Sequence, residues 1–215
     1  MGTGTTIHGF LLLAPVFIVS LTLHELAHGL TAYWLGDSTA KDMGRLTLNP
    51  IVHMDPLGSL ILALTYFGGS FLFGWAKPVP VDPRKLRTSP QVGMAVVGAA
   101  GPATNFVLAV IAAAVFTHAN LTGDASTLVG YAITINIILG VFNLFPIPPL
   151  DGSRIIAGFM PGEMYRQWAA LDQYGMFAVF AVFIFLRDPT SRLLESAFES
   201  ILRVISAIVG GTPLI

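Results

Sequence analysis

The sequence predicts an all-α polytopic membrane protein with about five to six transmembrane or re-entrant helices and a small cytoplasmic β element. Composition is the first reason: 54% of the 215 residues are hydrophobic, 11% are charged, and the mean hydropathy is +0.74. Charged residues usually make up about 25% of a soluble domain. The second reason is that long uncharged stretches recur along the chain, at lengths close to the roughly 20 residues that a spanning helix needs.

Six hydrophobic segments define the predicted helices. They cover residues 7–35, 57–74, 91–118, 127–146, 172–187 and 193–209. The connections between them are too short for an added soluble domain, so we expect one domain over 1–215, with a core at 10–155 and C-terminal helices at 163–209. Residues 1–9 contain no Lys or Arg and lack the basic start of a signal peptide, so we expect the first segment to be retained.

The distribution of Lys and Arg predicts the orientation. Six basic residues lie in 36–90, whereas 119–126 has none. By the positive-inside rule, 36–90 is cytoplasmic, while 119–126 and the N-terminus are outside. Both ends of 57–74 are then cytoplasmic and this segment contains four glycines, so we interpret it as a re-entrant or shallow hairpin and not as a single crossing.

Segment 193–209 leaves two interpretations open. Glu195, Glu199 and Arg203 recur at every fourth position and form one charged stripe on an otherwise apolar helix. An interfacial amphipathic helix accounts for this stripe at least as well as a sixth crossing does.

Two stretches of the cytoplasmic region have strand-like character. Residues 44–49 and 75–81 alternate in polarity, and the prolines of the second stretch suit the edge of a sheet. One interpretation is an edge strand that holds an extended peptide through main-chain hydrogen bonds. The alternative, equally open from the sequence, is a small cap sheet with no role in binding.

The residues His24-Glu25-Leu26-Ala27-His28 form an H-E-x-x-H motif within the first apolar segment. Two histidines four residues apart lie about 40° apart on a helix, with a rise of about 6 Å, so both rings can reach one zinc ion. Glu25 lies beside them and can take a proton from water at the metal. Ionisable side chains are costly in such a segment and are by default functional. The alternative is a hydrogen-bonded structural pair of histidines.

A zinc site of this kind needs a third protein ligand. The best candidate is Asp151, which follows a run that three prolines must break at the cytoplasmic end of the fourth segment. The first segment carries its histidines toward the same side of the membrane. Two alternatives stay open: Asp151 as a plain turn residue, because Asp-Gly is a common turn pair, and His53 as the third ligand.

Composition also limits the function classes. The chain has no cysteine, which excludes disulfides and thiolate metal sites. Its net charge of −1 gives no support for nucleic-acid binding. A membrane metal-ion transporter and a catalytically inactive metal-binding scaffold remain alternatives to an enzyme. A transporter needs ionisable groups along a whole path, and a site that only binds metal does not need Glu25.

Three motifs occur in a fixed order along the chain. They are HELAHG at 24–29, GPATN at 101–105 and NLFPIPPLDG at 143–152. In this order they resemble the site-2 protease family, the intramembrane zinc metalloproteases of peptidase family M50, in its small form without a PDZ or CBS domain. Within the second motif, we expect Gly101 to allow close helix packing, together with Gly98, and Asn105 either to orient a ligand or to bond across helices.

The resemblance implies a site and an activity. One zinc ion per chain would be bound by His24, His28 and Asp151, with Glu25 as the catalytic base and Asn143 positioning the scissile peptide or its oxyanion. The implied activity is hydrolysis of peptide bonds within or near the transmembrane segments of membrane-anchored proteins, in a prokaryotic cell membrane. With the orientation predicted above, the zinc site lies toward the cytoplasmic side.

Overall fold

The computed structural model describes residues 6–69 and 73–210, which form a bundle of helices. Residues 1–5 and 211–215, parts of the predicted single domain, lie outside this range, as do 70–72 of the predicted hairpin. Within the described residues the helices are α1 (Ile7–Trp34), α2 (Thr39–Asp42), α3 (Pro56–Gly68), α4 (Pro90–His118), α5 (Gly123–Asn143), α6 (Asp151–Ala157), α7 (Gly162–Ala169), α8 (Gly175–Phe185) and α9 (Arg187–Val209). Short 3-10 turns cover Pro50–Val52, Pro83–Lys85 and Ala170–Tyr174.

Three helices, α1, α4 and α5, are long and apolar enough to cross a membrane. They have 28, 29 and 21 residues, and at a rise of about 1.5 Å per residue each exceeds the roughly 30 Å of a bilayer core. Helix α4 packs against both α1 and α5, and α1 also contacts α5. The chain is therefore an all-α integral membrane protein, as the sequence predicts.

Helix α3 and the chain after it form a hairpin. With 13 residues α3 is about 20 Å long, too short to cross alone, and Gly69 ends it with a left-handed φ of 67°. Beyond the undescribed residues, Phe73 returns to α3, where its N–H donates to Thr65 Oγ1 and its carbonyl accepts from the same hydroxyl, both at 3.1 Å. The depth of this hairpin in the membrane stays a prediction.

The predicted β element is reduced to one bridge in the described part of the chain. Residues 44–49 form turns, and the bridge pairs Met54 with Ala76 in antiparallel fashion. Pro78 and Pro80 lack an N–H group, which prevents a continuous ladder through the second stretch. The extended residues 76–79, named here the 76–79 segment, are held instead by single hydrogen bonds, from Lys77 N to the His53 carbonyl (2.8 Å) among others.

Helix α9 lies alongside the spanning helices over much of their length. Its Ile205 and Val209 are buried in a cluster with Ala109 and Ala113 of α4 and with residues of α5. Toward its other end, Leu194 packs against the same cluster near Phe145. The charged stripe, which consists of Glu195, Glu199 and Arg203, is exposed. Among the described helices, α9 is not one of those apolar enough to cross a membrane, so both interpretations of 193–209 stay open.

Candidate metal centre

The side chains of His24, His28 and Asp151 converge inside the bundle. The two Nε2 atoms are 3.0 Å apart, and Asp151 Oδ2 lies 3.1 Å from that of His24 and 3.2 Å from that of His28. All three residues are buried. The part of the chain that the structure describes has no other group of three His, Cys, Asp or Glu side chains so arranged. The structure thus brings together the three residues nominated from the sequence.

Each ligand candidate is positioned by a distinct local feature. His24 and His28 are one turn apart on α1, so their rings lie on one face. Asp151 is the first residue of α6, directly after the proline-rich break. Gly101 of α4 lies against both rings: a Cβ there would be 2.5 Å from His28 Nε2 and 2.6 Å from His24 Nε2. The glycine therefore serves more than helix packing, because it forms one wall of the site.

The donor atoms fit a zinc ion. Ligand atoms about 2.0–2.1 Å from a tetrahedral zinc ion lie about 3.3 Å from one another, close to the spacing of these three atoms. His28 Nδ1 is 2.7 Å from the Val97 carbonyl, which can only accept, so this nitrogen carries the proton and Nε2 carries a lone pair. Asp151 Oδ2 is buried without a hydrogen-bond donor. Acceptors crowded together in this way suit a cation bound between them.

Glu25 is held beside the site by the 76–79 segment. Its Oε2 accepts the backbone N–H of Val79 at 2.8 Å. Prolines on both sides of Val79 leave this N–H as the local donor. Arg45 fixes the segment by donating from Nη2 to the carbonyls of Lys77 (2.8 Å) and Pro78 (3.3 Å). Glu25 therefore has Oε2 engaged by a backbone donor of this segment.

Two other residues considered from the sequence lie outside the cluster. His53 is buried, and its Nε2 donates to the Thr47 carbonyl at 2.9 Å, so it does not contribute to the group of three. Asn143, the last residue of α5, donates from Nδ2 to the Leu139 carbonyl at 3.0 Å, one turn back on its own helix. Its proposed contact with a substrate is not visible in the protein alone.

A chain of hydrogen-bonded polar side chains extends from His24. The sequence left open whether its first member, Asn105, orients a ligand or bonds across helices. Asn105 Oδ1 lies 2.6 Å from His24 Nδ1, and Asn105 Nδ2 donates to Asn136 Oδ1 at 2.8 Å. Asn136 Nδ2 in turn donates to Ser20 Oγ at 2.9 Å. Asn136 and Ser20 carry no motif of their own, and only their position within apolar segments could have marked them.

Arg154 is a further residue that the sequence analysis missed. Its Nη1 lies 3.9 Å from Asp151 Oδ1, and its Nη2 lies 4.0 Å from Asp172 Oδ2. It follows Asp151 by three residues on α6, a spacing that puts both side chains on one face of the helix. This spacing is the signal that could have identified it.

Comparison with known proteins agrees with this geometry. Residues 114–186, which include Asn143 and Asp151, match the model of peptidase family M50. The Bacillus subtilis protein named Putative zinc metalloprotease YwhC is 37% identical over 210 residues, 91% of this chain and 91% of that protein. Putative zinc metalloprotease Rip2 of Mycolicibacterium smegmatis is 31% identical over 179 residues, 81% of this chain and 67% of that protein. No solved structure matches the chain significantly.

The chain therefore belongs to peptidase family M50. The buried His and Asp groups, the spanning helices and the names of the relatives together support a zinc metalloprotease integral to a membrane.

Proposed function

We propose that this protein is an intramembrane zinc metalloprotease of the site-2 protease type. It would hydrolyse peptide bonds within or near the transmembrane segments of membrane-anchored proteins, as a step of regulated intramembrane proteolysis. The observation that carries the proposal is the convergence of His24, His28 and Asp151 inside the spanning bundle, with Glu25 on the same helix as the two histidines.

The depth of the site supports a substrate within the membrane. His24 lies ten residues before Trp34, the end of α1, or about 15 Å along the helix axis. This is about 5 Å from the middle of a helix that is about 42 Å long. With α1 centred in a hydrocarbon core about 30 Å thick, His24 lies about 10 Å below the membrane surface and His28, one turn nearer Trp34, about 4 Å below it. A peptide bond that reaches these ligands must enter the bundle.

The chemistry follows from the residues around the three ligands. His24, His28 and Asp151 would hold a zinc ion, which when bound would polarise the scissile carbonyl and lower the pKa of an attacking water to near 7. Glu25 takes the proton of that water and returns it to the leaving amine. The Val79 N–H holds Glu25 Oε2, which leaves Oε1 to receive the proton. Asn143 would bind the peptide carbonyl or its oxyanion after turning from its own helix.

An apolar cavity between α1, α3 and the 76–79 segment provides a place for a substrate side chain. It has a volume of about 210 Å³ and is lined by Phe17, Leu21, Leu62 and Trp75, among others. Leu21 precedes Glu25 by one helical turn, and Ala76, also in its wall, is three residues before Val79. The lining suits a large apolar side chain, as expected of a transmembrane substrate.

The two alternatives are less well supported. A transporter would need ionisable groups across the whole membrane, but Leu13 and Phe17 of α1 are buried against Leu62, Ile135 and Leu139 on the side of the site away from Trp34. This cluster offers no ionisable group for an ion path in that direction. An inactive scaffold would have no use for Glu25 held beside the metal ligands.

The location proposed for this activity is a prokaryotic cell membrane, with the site toward the cytoplasm. The six Lys and Arg of 36–90 support this orientation. Products would then leave on the cytoplasmic side, through the polar connections next to α1.

The test uses purified protein in lipid vesicles with a single-span reporter helix, and compares the wild type with Glu25→Gln. Because Glu25 acts on water and not on the metal, the variant should keep about one zinc ion per chain and lose at least about 10²-fold in hydrolysis. Glu195→Gln, on the exposed stripe of α9, is the matched control and should keep both. Equal cleavage by Glu25→Gln and the wild type would rule out the proposed mechanism.

A further inference from the structure

We propose that Asn105, Asn136 and Ser20 form a positioning chain that fixes the tautomer and ring orientation of His24, so that its Nε2 presents a lone pair to the metal. The inference rests on the proposed zinc site and adds three residues to it that bind neither metal nor substrate. The chain joins α4, α5 and α1, so the metal site is tied to the packing of the three spanning helices.

The direction of the hydrogen bonds follows from a backbone carbonyl. Asn136 Nδ2 lies 2.9 Å from the Ala132 carbonyl, which can only accept, so the NH₂ group of Asn136 faces this side. Its Oδ1 therefore faces Asn105 and requires the NH₂ group of that residue. Asn105 is left with Oδ1 toward His24, so His24 Nδ1 must carry the proton.

Burial leaves the chain little freedom to rearrange. Asn105 is fully buried, and Asn136 and Ser20 are each 3% exposed. Water cannot replace a lost partner without entering the bundle, and turning either amide would put two donors or two acceptors in contact. The Ala132 carbonyl fixes the orientation of the Asn136 amide. Asn136 in turn fixes the amide of Asn105, which orients the His24 ring.

The two histidines differ in how their orientation is secured. His28 Nδ1 donates to the Val97 carbonyl, a backbone group that no side-chain substitution removes. His24 depends on the side chain of Asn105. Without it, the buried Nδ1–H would have no acceptor, and the proton would favour Nε2, where it blocks metal binding. The site can therefore be weakened by substitution in the chain, with all three ligands present.

The experiment measures zinc affinity by competition with a chelator, and the absorption spectrum of the cobalt-substituted protein, for variants along the chain. Asn105→Leu should lose about 10- to 100-fold in affinity, the range for partners that orient metal-binding histidines. Asn105→Asp keeps an acceptor for His24 Nδ1–H but loses the donor to Asn136 Oδ1, so it should recover part of the affinity that Asn105→Leu loses. Asn136→Leu should have a smaller effect, and Ser20→Ala the smallest.

The matched control is Thr22→Val, which removes a buried hydroxyl of α1 that donates to the Ile18 carbonyl outside the chain. It should bind zinc as the wild type does. Wild-type affinity in Asn105→Leu, or an equal loss in Asn105→Leu and Asn105→Asp, would overturn the proposal. Wild-type zinc affinity in Asn136→Leu would also overturn the proposal. This second test remains valid if Asn105→Leu does not fold. Failure of the proposed protease activity would appear differently, as wild-type protein that binds zinc but cleaves no reporter.

Discussion

At the scale of single residues, Gly101 leaves no room for a side chain beside the candidate metal ligands. A Cβ at this position would lie 2.5 Å from His28 Nε2 and 2.6 Å from His24 Nε2, against the ring nitrogens that face the metal. We expect Gly101→Ala to lose most of its zinc, as Asp151→Ala should, because the methyl group displaces both rings. Zinc content per chain after purification measures this effect.

Two control variants distinguish displacement of the histidine rings in Gly101→Ala from a general loss of zinc after substitution. Gly130→Ala adds a methyl group in open space on α5 and should keep its zinc. His53→Ala should also keep it, since His53 bonds to Thr47 and not to the ligands. Full zinc in Asp151→Ala, together with loss in His53→Ala, would contradict the ligand assignment.

The candidate metal ligands were largely predictable from the sequence, whereas the residues that hold them in position were not. His24 and His28 follow from motif spacing alone, and Asp151 from a carboxylate placed at a helix break. Asn105 was recognised as a possible orienting group, but Asn136 and Ser20 become visible only when α1, α4 and α5 are packed. Asn143 was predicted from a resemblance, and in the protein without substrate its amide bonds to Leu139.

At the scale of elements, the 76–79 segment connects Arg45 with Glu25, the proposed catalytic base. Arg45, 7% exposed, donates to the carbonyls of Lys77 and Pro78, and the next residue donates its N–H to Glu25. We expect Arg45→Met to lower hydrolysis of a reporter helix by about 10-fold or more, because Glu25 loses its fixed partner. Zinc content should stay unchanged, since none of the ligands is touched.

The control for this variant is Arg84→Met. Arg84 is largely exposed and pairs with Asp82 in the same loop, so it should retain wild-type hydrolysis. Equal activity in Arg45→Met and the wild type would show that the segment does not position Glu25.

The sequence predicted best the elements that are long, continuously apolar stretches. Segments 7–35 and 91–118 agree with α1 and α4 to within a residue. The strand-like stretches did not become strands, because alternation alone supplies no partner and two prolines interrupt the second stretch. For 193–209, the charged stripe left an interfacial helix and a sixth crossing both open, and the structure adds that Ile205 and Val209 of α9 pack against α4 and α5.

At the scale of the whole molecule, the orientation can be read from two helix starts. Ser89 precedes α4 and Thr122 precedes α5, and both are exposed. Single cysteines at these positions can be labelled cleanly, because the chain has no native cysteine. With an impermeant maleimide added to intact cells, Thr122→Cys should react and Ser89→Cys should not. The opposite pattern would turn the site toward the other compartment and reverse the side on which products leave.

The proposed zinc-dependent hydrolysis inside the membrane is tested most sharply by locating the bond that is cleaved. Single-span reporter helices would be incubated in vesicles with the wild type or with Glu25→Gln, and the products would be sequenced by mass spectrometry. We predict cleavage within or at the edge of the apolar span by the wild type, prevented by a zinc chelator and by Glu25→Gln. Cleavage confined to the soluble flanks would contradict hydrolysis inside the membrane. The same cut by Glu25→Gln would contradict the proposed role of Glu25.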